Sequence, residues 1–430
     1  MKIEQVDLWH VAIPLSTPFY PSWIPGFPQT DVRFTLLRLR TRSGLEGYSA
    51  GPAMGKERAG LGSLLGPYLL DERADDIPSI RQRVREMGYL GIRLGWLEAA
   101  CWDLVGKARQ KPVCELLGGK GGTLRLYAST GQIRCPNEEI QQRFADGFEA
   151  VKIRVHAMTL EEDLARLRSV REAVGPKARL GVDANQAWRV AAVGPAPLWK
   201  YERALLFCRE AEQLGYEWVE EPLPMDDYDG LARLCAEVKI DITGGELNSS
   251  GLPEFGVMLE KHCYDVYQPD AVFTGGIADT WRIIQKIKAA GARYSPHTWT
   301  NGLGFAINMQ LHAASPFREK LLEFPVDGSW TPEARDGLFK QPFMSERGAL
   351  TVPSLPGLGF EIDPRALARH GSHFHRSTKL RLSLSAVWDR GLKAAKEAGA
   401  VRSARIADRE AELKAKAARG EDVALEALAS

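Results

Sequence analysis

The chain has 430 residues, 44% hydrophobic and 26% charged, so it is a globular protein large enough for two or more domains. Its 56 basic and 55 acidic residues leave a net charge of +1, which gives no general attraction to nucleic acid or membranes. We find no apolar signal core or membrane span, and the six cysteines form no C-x-x-C pair. We therefore expect a cytoplasmic protein that binds neither nucleic acid nor membranes.

Residues 1–122 predict an α+β domain. Strand-like alternation runs through KIEQVDLWHVAI, VRFTLLRLRT and LEGYSAG, and helical spacing follows, most clearly in GWLEAACWDLVGKARQ. Between the first two strands, STPFYPSWIPGFPQT is rich in proline and aromatic residues and is long for a structureless loop, which favours a functional lid. The glycine cluster GGKGG then predicts a domain boundary.

Residues 123–350 alternate short apolar strands with amphipathic stretches about eight times, which is typical of a (β/α)8 barrel. The predicted strands are LRLYAST, AVKIRV, RLGVDAN, EWVEEP, DITGGE, DVYQPD, ARYSPH and LLEFP. Residues 351–380 indicate loop and strand, which we expect to return to the first domain. Residues 381–430 are rich in Ala, Glu, Lys and Arg, and predict a helical extension that is a surface feature or an oligomer arm.

Polar residues mark the ends of six consecutive predicted strands. In chain order they are Asp183, Glu220, Glu221, Glu246, Asp270, His297 and Glu323. From one strand to the next the spacing is 24 to 37 residues, about one βα unit. Because chemistry in such barrels lies at the carboxyl ends of the strands, these residues are the candidates for a functional site.

Asp183, Glu220 and Glu246 indicate a site for a divalent cation. Half-buried carboxylates that converge on one barrel mouth repel each other unless a cation lies among them. Oxygen ligands favour Mg²⁺, with water and substrate oxygens completing the octahedron. Each residue alone could be a solvated loop carboxylate, but three on consecutive strand ends weaken that explanation. Strand alternation places Glu220 and Glu221 on opposite sides, so only one of them faces the metal.

Asp270 and His297 lie on neighbouring predicted strands. A carboxylate that accepts a hydrogen bond from one imidazole nitrogen fixes the tautomer and raises the basicity of the other nitrogen. We therefore expect His297 to act as a base, with a structural core histidine as the alternative. Glu323 could be a general acid or a hydrogen-bond donor if it is protonated, or a structural carboxylate in a salt bridge.

The strand VKIRV alternates apolar residues with Lys152 and Arg154. Such a strand could be an exposed edge, or its charged face could point at an anion.

In their order and spacing, VKIRV, VDAN, WVEEP, GGE, QPD, SPHTWTNG and LEFP resemble the enolase superfamily, mandelate racemase subgroup. AACWDLVGKARQKPVCELLGG resembles the capping domain of that family, and the resemblance covers about residues 1–370. It implies an α+β capping domain over a modified (β/α)7β barrel, with Mg²⁺ held by Asp183, Glu220 and Glu246. It also implies removal of the proton α to a substrate carboxylate, giving an enediolate stabilised by the metal.

Many members of this subgroup carry Lys-x-Lys on the second barrel strand, where the second lysine is a base opposite the His–Asp pair. That position is Arg154 in this chain, and an arginine stays protonated and donates well to carboxylate or enolate oxygens. Lys152 matches the first lysine, near the substrate carboxylate in the family, although it could itself be a base in a rearranged site. We therefore expect the charged face of this strand to point at an anion.

With His297 as the single competent base, the resemblance favours an Mg²⁺-dependent dehydratase of an acid sugar, such as an aldonate or aldarate. His297 would remove the α-proton, and the same group or a neighbour would protonate the departing β-hydroxyl, giving a 2-keto-3-deoxy acid. The alternatives are a racemase or epimerase of a 2-hydroxy acid, a cycloisomerase, and a non-catalytic binding protein on the same barrel.

The resemblance also places substrate specificity in two loops of the capping domain, and two residues after His297 are expected to line the pocket. The candidate contacts are Trp23, Met54, Trp299 and Asn301. Simple loop packing is the alternative for each of them. The family is often oligomeric, and we expect a homo-oligomer.

Overall fold

The structure, a computed structural model, describes residues 1–53, 61–89 and 93–429. Within them, thirteen strands form one four-stranded antiparallel sheet and one larger sheet that curls into a barrel. The strands are β1 (Ile3–Phe19), β2 (Gln29–Thr41), β3 (Glu46–Pro52), β4 (Gly122–Ser129), β5 (Ala150–Arg154), β6 (Arg179–Asp183), β7 (Trp218–Glu220), β8 (Asp241–Gly244), β9 (Val266–Tyr267), β10 (Arg293–Tyr294), β11 (Leu322–Pro325), β12 (Ala349–Val352) and β13 (Gly371–Thr378).

Helices of the described residues cover both sheets. They are α1 (Leu61–Leu69), α2 (Ile77–Gly88), α3 (Glu98–Arg109), α4 (Val113–Leu116), α5 (Asn137–Ala145), α6 (Leu160–Val174), α7 (Tyr201–Gln213), α8 (Tyr228–Glu237), α9 (Leu252–Lys261), α10 (Ala271–Thr274), α11 (Ile277–Ala289), α12 (Gly302–Ala314), α13 (Pro332–Arg335), α14 (Pro364–His370), α15 (Lys379–Arg390), α16 (Leu392–Ala418) and α17 (Val423–Ala429). In the described part of the chain, no helix has both the length and the apolar character needed to cross a bilayer.

The antiparallel sheet has the strand order β13–β1–β2–β3, so the segment after the barrel returns to the first domain. The proline-rich segment that we predicted to be a loop is shorter in the structure, because β1 continues to Phe19 and pairs there with Gln29 of β2. β13 pairs with β1 at residues 5–11, which leaves the second half of β1 as an edge that tolerates Pro14 and Pro18. The turn that remains, residues 20–28, reaches toward the barrel.

The barrel contains eight parallel strands, β4 to β11, in chain order, and β11 pairs back with β4. Between β10 and β11, Ser295 Oγ donates to Leu321 O at 3.1 Å. A helix follows each of the first seven strands, whereas β11 is followed by the four-residue α13. This is the modified (β/α)7β barrel with an α+β cap that the family resemblance implied, and the fold class is confirmed.

The cap is fixed to the barrel helix α11. The buried Glu98 Oε1 of α3 accepts hydrogen bonds from Ala278 N at 2.9 Å and from Trp102 Nε1 at 2.8 Å. A cap carboxylate thus satisfies a donor at the N-terminus of a barrel helix. The backbones also approach closely, since a Cβ added at Gly95 would lie 2.6 Å from Gly275. The cap therefore sits over the end of the barrel where the strands terminate.

The C-terminal extension runs back over both domains. On the cap, Arg409 Nε and Nη2 each lie 2.8 Å from the carboxylate of Asp76. Arg109 of α3 pairs with Asp422 at 2.6 and 2.7 Å. The buried Ala427 of α17 belongs to the part of the extension that packs against α2 of the cap and α11 of the barrel. The extension therefore ties the cap to the barrel.

Candidate active site

Strand register brings the charged side chains to one end of the barrel. Arg154 of β5 pairs with Asp183 of β6, which pairs with Glu220 of β7, so these residues form one row. Lys152 precedes Arg154 by two residues and faces the same side. All four side chains are buried. β5 lies between β4 and β6 in the closed sheet, so the charged strand is an interior strand and not an exposed edge.

Lys152 sits among three carboxylates. Its Nζ lies 2.5 Å from Glu220 Oε1, 2.7 Å from Glu323 Oε1 and 3.8 Å from Asp183 Oδ2. Burial lowers the pKa of Lys152, but the charges of Glu220 and Glu323 outweigh it and raise the pKa above its ordinary value. In this arrangement Lys152 is a charged donor, which disfavours the alternative that it is itself a base.

Arg154 is held between the cap and the barrel. Its Nε donates to Thr130 O at 2.6 Å, and its Nη1 pairs with Asp183. The guanidinium carbon lies 5.4 Å from the ring centre of Trp23 and 5.6 Å from that of Trp299, within the range of cation–π contacts. Two indoles, one from each domain, thus fix the orientation of a group that donates hydrogen bonds and does not accept protons.

His297 is oriented by its neighbour on the preceding strand. Its Nδ1 lies 2.9 Å from Asp270 Oδ2, while Asp270 Oδ1 accepts from Asn308 Nδ2 at 2.7 Å and from Val272 N at 2.8 Å. The other ring nitrogen, Nε2, lies 3.1 Å from Glu246 Oε2. Burial alone would lower the pKa of His297, but Glu246 and Asp270 outweigh it and raise the pKa to about 9.

Glu323 is embedded in hydrogen bonds. Its Oε1 accepts from Ser129 Oγ at 2.8 Å and contacts Lys152, and its Oε2 accepts from Thr298 N at 2.6 Å. Burial raises the pKa of Glu323, but Lys152 and His297 outweigh it and bring the pKa down to about 2. This environment favours the ionised, salt-bridged carboxylate, and it disfavours the protonated general acid that we considered from the sequence.

Glu220 and Glu221 differ from the expectation based on strand alternation. Glu220 Oε2 accepts from Gln268 Nε2 at 2.7 Å. Glu221 has a left-handed φ of 49°, so the strand ends there and its side chain does not simply turn to the outer face. Both of its carboxylate oxygens are buried without a hydrogen-bond partner. Burial raises the pKa of Glu221 well above its usual range, and Glu246 and Asp183 raise it further.

The charges at the barrel mouth do not balance. Among the groups buried there are six carboxylates and two permanent cations. They are Asp183, Glu220, Glu221, Glu246, Asp270 and Glu323, with Lys152 and Arg154. Even with His297 protonated, ionisation of all six carboxylates would leave an excess of negative charge, and the pKa of Glu221 is raised both by burial and by this repulsion. A divalent cation bound by carboxylate oxygens would balance this excess, and the partnerless oxygens of Glu221 mark a place where positive charge is short. The donor set therefore fits a divalent cation such as Mg²⁺, and its binding by Asp183, Glu220 and Glu246 stays a prediction.

The turn of the cap closes over this mouth. The rings of Trp23 and Trp299 lie 5.4 Å apart in an edge-to-face contact. Beside them, Ser22 Oγ contacts Asn185 Oδ1 at 2.5 Å, and Ser22 N donates to Gly131 O at 2.9 Å. Both tryptophans that we singled out from the sequence are therefore brought to Arg154.

The other two candidate substrate contacts have a different status. Asn301 caps helix α12, because its Oδ1 accepts from Leu303 N and Gly304 N at 3.1 Å each. Helix capping thus accounts for its carbonyl oxygen, although its side chain also lines a cavity at the cap. Met54 lies outside the described residues.

Sequence reasoning missed the neutral side chains that hold the charged ones. They are Ser129, Trp188, Gln268 and Asn308. Gln268 stands in the QPD motif, so the strand-end argument could have found it. Asn308 lies in the middle of α12, where no strand-end signal exists. For Glu221, the sequence signal was the following residue, Pro222. A proline has no N–H to donate to the sheet, so it indicates that the strand, and with it the alternation of side chains, ends there.

Two family models match this chain. The model for enolase C-terminal domain-like proteins matches residues 137–366, and the model for the mandelate racemase / muconate lactonizing enzyme N-terminal domain matches residues 12–118. The chain belongs to the mandelate racemase subgroup of the enolase superfamily.

Relatives in this family catalyse several reactions. Arabinonate dehydratase from Saccharolobus solfataricus is 29% identical over 355 residues, 79% of this chain and 91% of the relative. D-galactarolactone cycloisomerase from Agrobacterium fabrum is 32% identical over 303 residues, 66% of this chain and 76% of the relative. The crystal structure of L-talarate/galactarate dehydratase from Salmonella typhimurium, liganded with Mg and L-lyxarohydroxamate, is 27% identical with a TM-score of 0.73, covering 88% of this chain and 95% of that one.

Proposed function

We propose that this protein is an Mg²⁺-dependent hydro-lyase that dehydrates an acid sugar to a 2-keto-3-deoxy acid. The observation that carries the proposal is the pairing of His297 with Asp270 at 2.9 Å. At the position where many relatives carry a second lysine base, this chain has Arg154, which cannot serve as a base. Acid-sugar dehydratases among the relatives, one of them solved with Mg, support the same chemistry and the same metal.

His297 removes the proton α to the substrate carboxylate. In its neutral form Nε2 accepts the proton, while Asp270 retains the hydrogen on Nδ1 and stabilises the imidazolium. Lys152 and Arg154 present N–H groups to the negative charge that develops on the substrate oxygens. When bound at Asp183, Glu220 and Glu246, Mg²⁺ supplies Lewis-acid stabilisation to that charge.

The β-hydroxyl then leaves as water, which gives an enol, and the enol tautomerises to the 2-keto-3-deoxy acid. The imidazolium of His297 holds the proton that it has just taken and can return it to the departing hydroxyl, so one residue serves as base and then as acid. Epimerisation needs a second proton donor on the opposite face. The family resemblance assigns that position to Arg154, which keeps its protons, and this supports elimination over epimerisation.

A screen of acid sugars with Mg²⁺, read as formation of a 2-keto-3-deoxy acid, tests this proposal. We expect a product with the wild type and none above background with His297→Asn. His262→Asn is the matched control, because His262 is exposed and has a left-handed φ that asparagine tolerates. Exchange of the α-proton in D₂O without elimination would instead indicate an epimerase. No turnover across the screen would favour a non-catalytic binding protein.

A cycloisomerase is the second candidate, because a relative with that activity is 32% identical to this chain. The same base would remove the same α-proton, and the elimination would expel a ring oxygen instead of a hydroxyl. Adding sugar-acid lactones to the screen separates the two reactions. Dehydration lowers the product mass by one water, whereas cycloisomerisation leaves the mass unchanged.

The cytoplasmic location, the homo-oligomeric state and the absence of nucleic-acid and membrane partners stay predictions. Light scattering of the purified protein tests the oligomeric state directly, and a single monomeric species would contradict that prediction.

A further inference from the structure

Helix α15 of the C-terminal extension carries an apolar stripe that faces solvent. The stripe consists of Leu380, Leu384, Val387 and Trp388. This spacing places the four side chains within about 100° of the helix circumference, the width of a face that a helix normally packs against another surface. Here that face is open, because Trp388 is 91% exposed, Leu380 70% and Leu384 61%.

The opposite side of α15 holds the helix to its own chain. Leu382 is partly buried and packs against the hydrophobic core, and it lies about 160° around the helix from Leu384. At the start of the helix, Thr378 Oγ1 accepts a hydrogen bond from Arg381 N at 3.4 Å. The stripe is therefore a second apolar side of a helix that is already attached, and the described part of the chain leaves it uncovered.

The shared fold of the family does not account for the stripe. The family models end at residue 366, so α15 lies outside both of them. Trp388 alone offers roughly 150–250 Å² of mainly apolar surface, and the three aliphatic side chains bring the stripe to several hundred Å². On a soluble protein a continuous apolar patch of this size marks an interaction site. It is also a large share of the roughly 800 Å² that each partner of a stable interface buries.

We propose that this stripe binds the same stripe of a second copy of the chain, with the two α15 helices antiparallel. A two-fold axis brings the same patch of both copies together, so the patch must be complementary to itself. The stripe meets this requirement, because Leu380 and Trp388 lie four residues to either side of Leu384. With the axis at Leu384, Leu380 packs against the partner's Trp388, and Leu384 packs against the partner's Leu384.

The charges of α15 also fit an antiparallel pair. Its first turn holds Lys379 and Arg381 and no acidic residue, so two cations lie at the positive end of the helix dipole. In the antiparallel pair this end lies beside the last turn of the second helix, where free carbonyl oxygens carry partial negative charge. Asp389 follows Trp388 in that last turn. An anionic membrane, the competing occupant, would attract the two cations but repel this carboxylate, so the charges favour a second copy.

The mass of the full-length protein in solution, measured by sedimentation equilibrium, tests the inference. We expect Trp388→Asp to halve the wild-type mass at the same concentration, because a carboxylate buried in an apolar contact is costly. Leu206→Asp is the matched control and should keep the wild-type mass, since Leu206 is 54% exposed on the barrel helix α7, outside the extension. A monomeric wild type, or an unchanged mass in Trp388→Asp, would overturn the inference.

Disulfide cross-linking tests the antiparallel register. Mild oxidation should join two Leu384→Cys chains, because their introduced thiols meet at the axis. It should not join two Leu380→Cys chains, because the antiparallel register separates their thiols by about 12 Å along the helices. The wild type sets the background from the native cysteines. Equal cross-linking of the two variants would overturn the register.

Vesicles of phosphatidylcholine and phosphatidylserine test the competing occupant. We expect the wild type to stay in solution when the vesicles are sedimented. Co-sedimentation of a monomeric wild type, lost in Trp388→Asp, would assign the stripe to a lipid surface and overturn the inference.

Discussion

Ion pairs hold both the barrel mouth and the C-terminal extension, but the two regions differ in burial. At the mouth, Lys152 and its partners Glu220 and Glu323 are at most 1% exposed. On the extension, Arg405 is 42% exposed and pairs with Glu72 of the cap. A buried charge without its partner is costly, whereas an exposed one returns to water. The buried ion pairs at the mouth belong to the candidate active site, whereas the partly exposed ion pairs of the extension attach a helix to the cap.

The largest expected effect is on catalysis at the mouth. His297→Asn removes the group that takes the α-proton, and we expect kcat/KM to fall by about 10³-fold or more, within the range of general-base effects. The measurement is steady-state kinetics with the substrate found in the screen. A loss below tenfold, with an intact fold by circular dichroism, would show that another residue is the base.

The next effect is on stability at the same mouth. Lys152→Met leaves Glu220 and Glu323 facing each other without their cation, and removal of one buried partner typically costs about 3–5 kcal/mol. Urea unfolding in the absence of Mg²⁺ measures the difference in the free energy of unfolding. A change below about 1 kcal/mol would contradict our view that the lysine offsets the repulsion between these carboxylates.

Mg²⁺ binding should stabilise the folded protein, because the ion offsets the excess of negative charge at the barrel mouth. Mg²⁺ at roughly 100 times its Kd should raise the free energy of unfolding by about 3 kcal/mol, because it binds the folded state. The gain should be much smaller in Glu246→Gln, measured by thermal unfolding with and without EDTA. An equal gain in this variant would place the ion elsewhere, for example at Cys135, Glu139 and Asp327, whose ligand atoms lie within 4.8 Å of one another.

The barrel mouth was predictable because strand ends carry a local signal. Short apolar strands ending in Asp183, Glu246 or His297 can be recognised from the sequence, and a parallel barrel brings such ends together whatever the helices between them do. The prediction failed where the backbone leaves the strand, as at Glu221 with its positive φ. It also missed Asn308, because nothing in the sequence of a buried helix indicates that its polar residue donates a hydrogen bond to the carboxylate of Asp270.

The docking of the extension was not predictable. Its contacts join residues that are 333 positions apart, such as Arg409 and Asp76. In this Ala-, Glu- and Arg-rich segment, the residues around a docked arginine do not differ in type from those around a solvent-exposed arginine. No periodicity identifies the partner across that distance, and the sequence indicated a helix without indicating what the helix contacts.

The cap sheet offers an intermediate case, in which a buried carboxylate has partly exposed partners. Asp7 accepts hydrogen bonds from Arg376 at 2.7 Å and Arg38 at 2.8 Å. Burial raises the pKa of Asp7, but these arginines and Gln5 outweigh it and lower the pKa to about 2. Because the folded pKa is below the unfolded one, the stabilisation is present above about pH 4 and is lost as the pH falls toward 2.

Asp7→Asn should therefore lower the free energy of unfolding by about 2 kcal/mol at pH 6, and the gap to the wild type should close as the pH falls toward 2. Denaturant unfolding of both proteins at several pH values measures this gap. A gap that is independent of pH would mean that lost packing, and not the carboxylate charge, causes the destabilisation.

The smallest effect is expected on the extension. Arg405→Met removes one exposed partner of Glu72, which keeps Arg83 at 3.1 Å, so neither charge is left buried and alone. We expect a loss of less than about 1 kcal/mol that shrinks further in 0.5 M salt, because solvent screens such a pair. Thermal unfolding at low and high salt measures it. A loss as large as that of Lys152→Met would show that exposure does not separate the two regions, and that the extension is built into the stability of the cap.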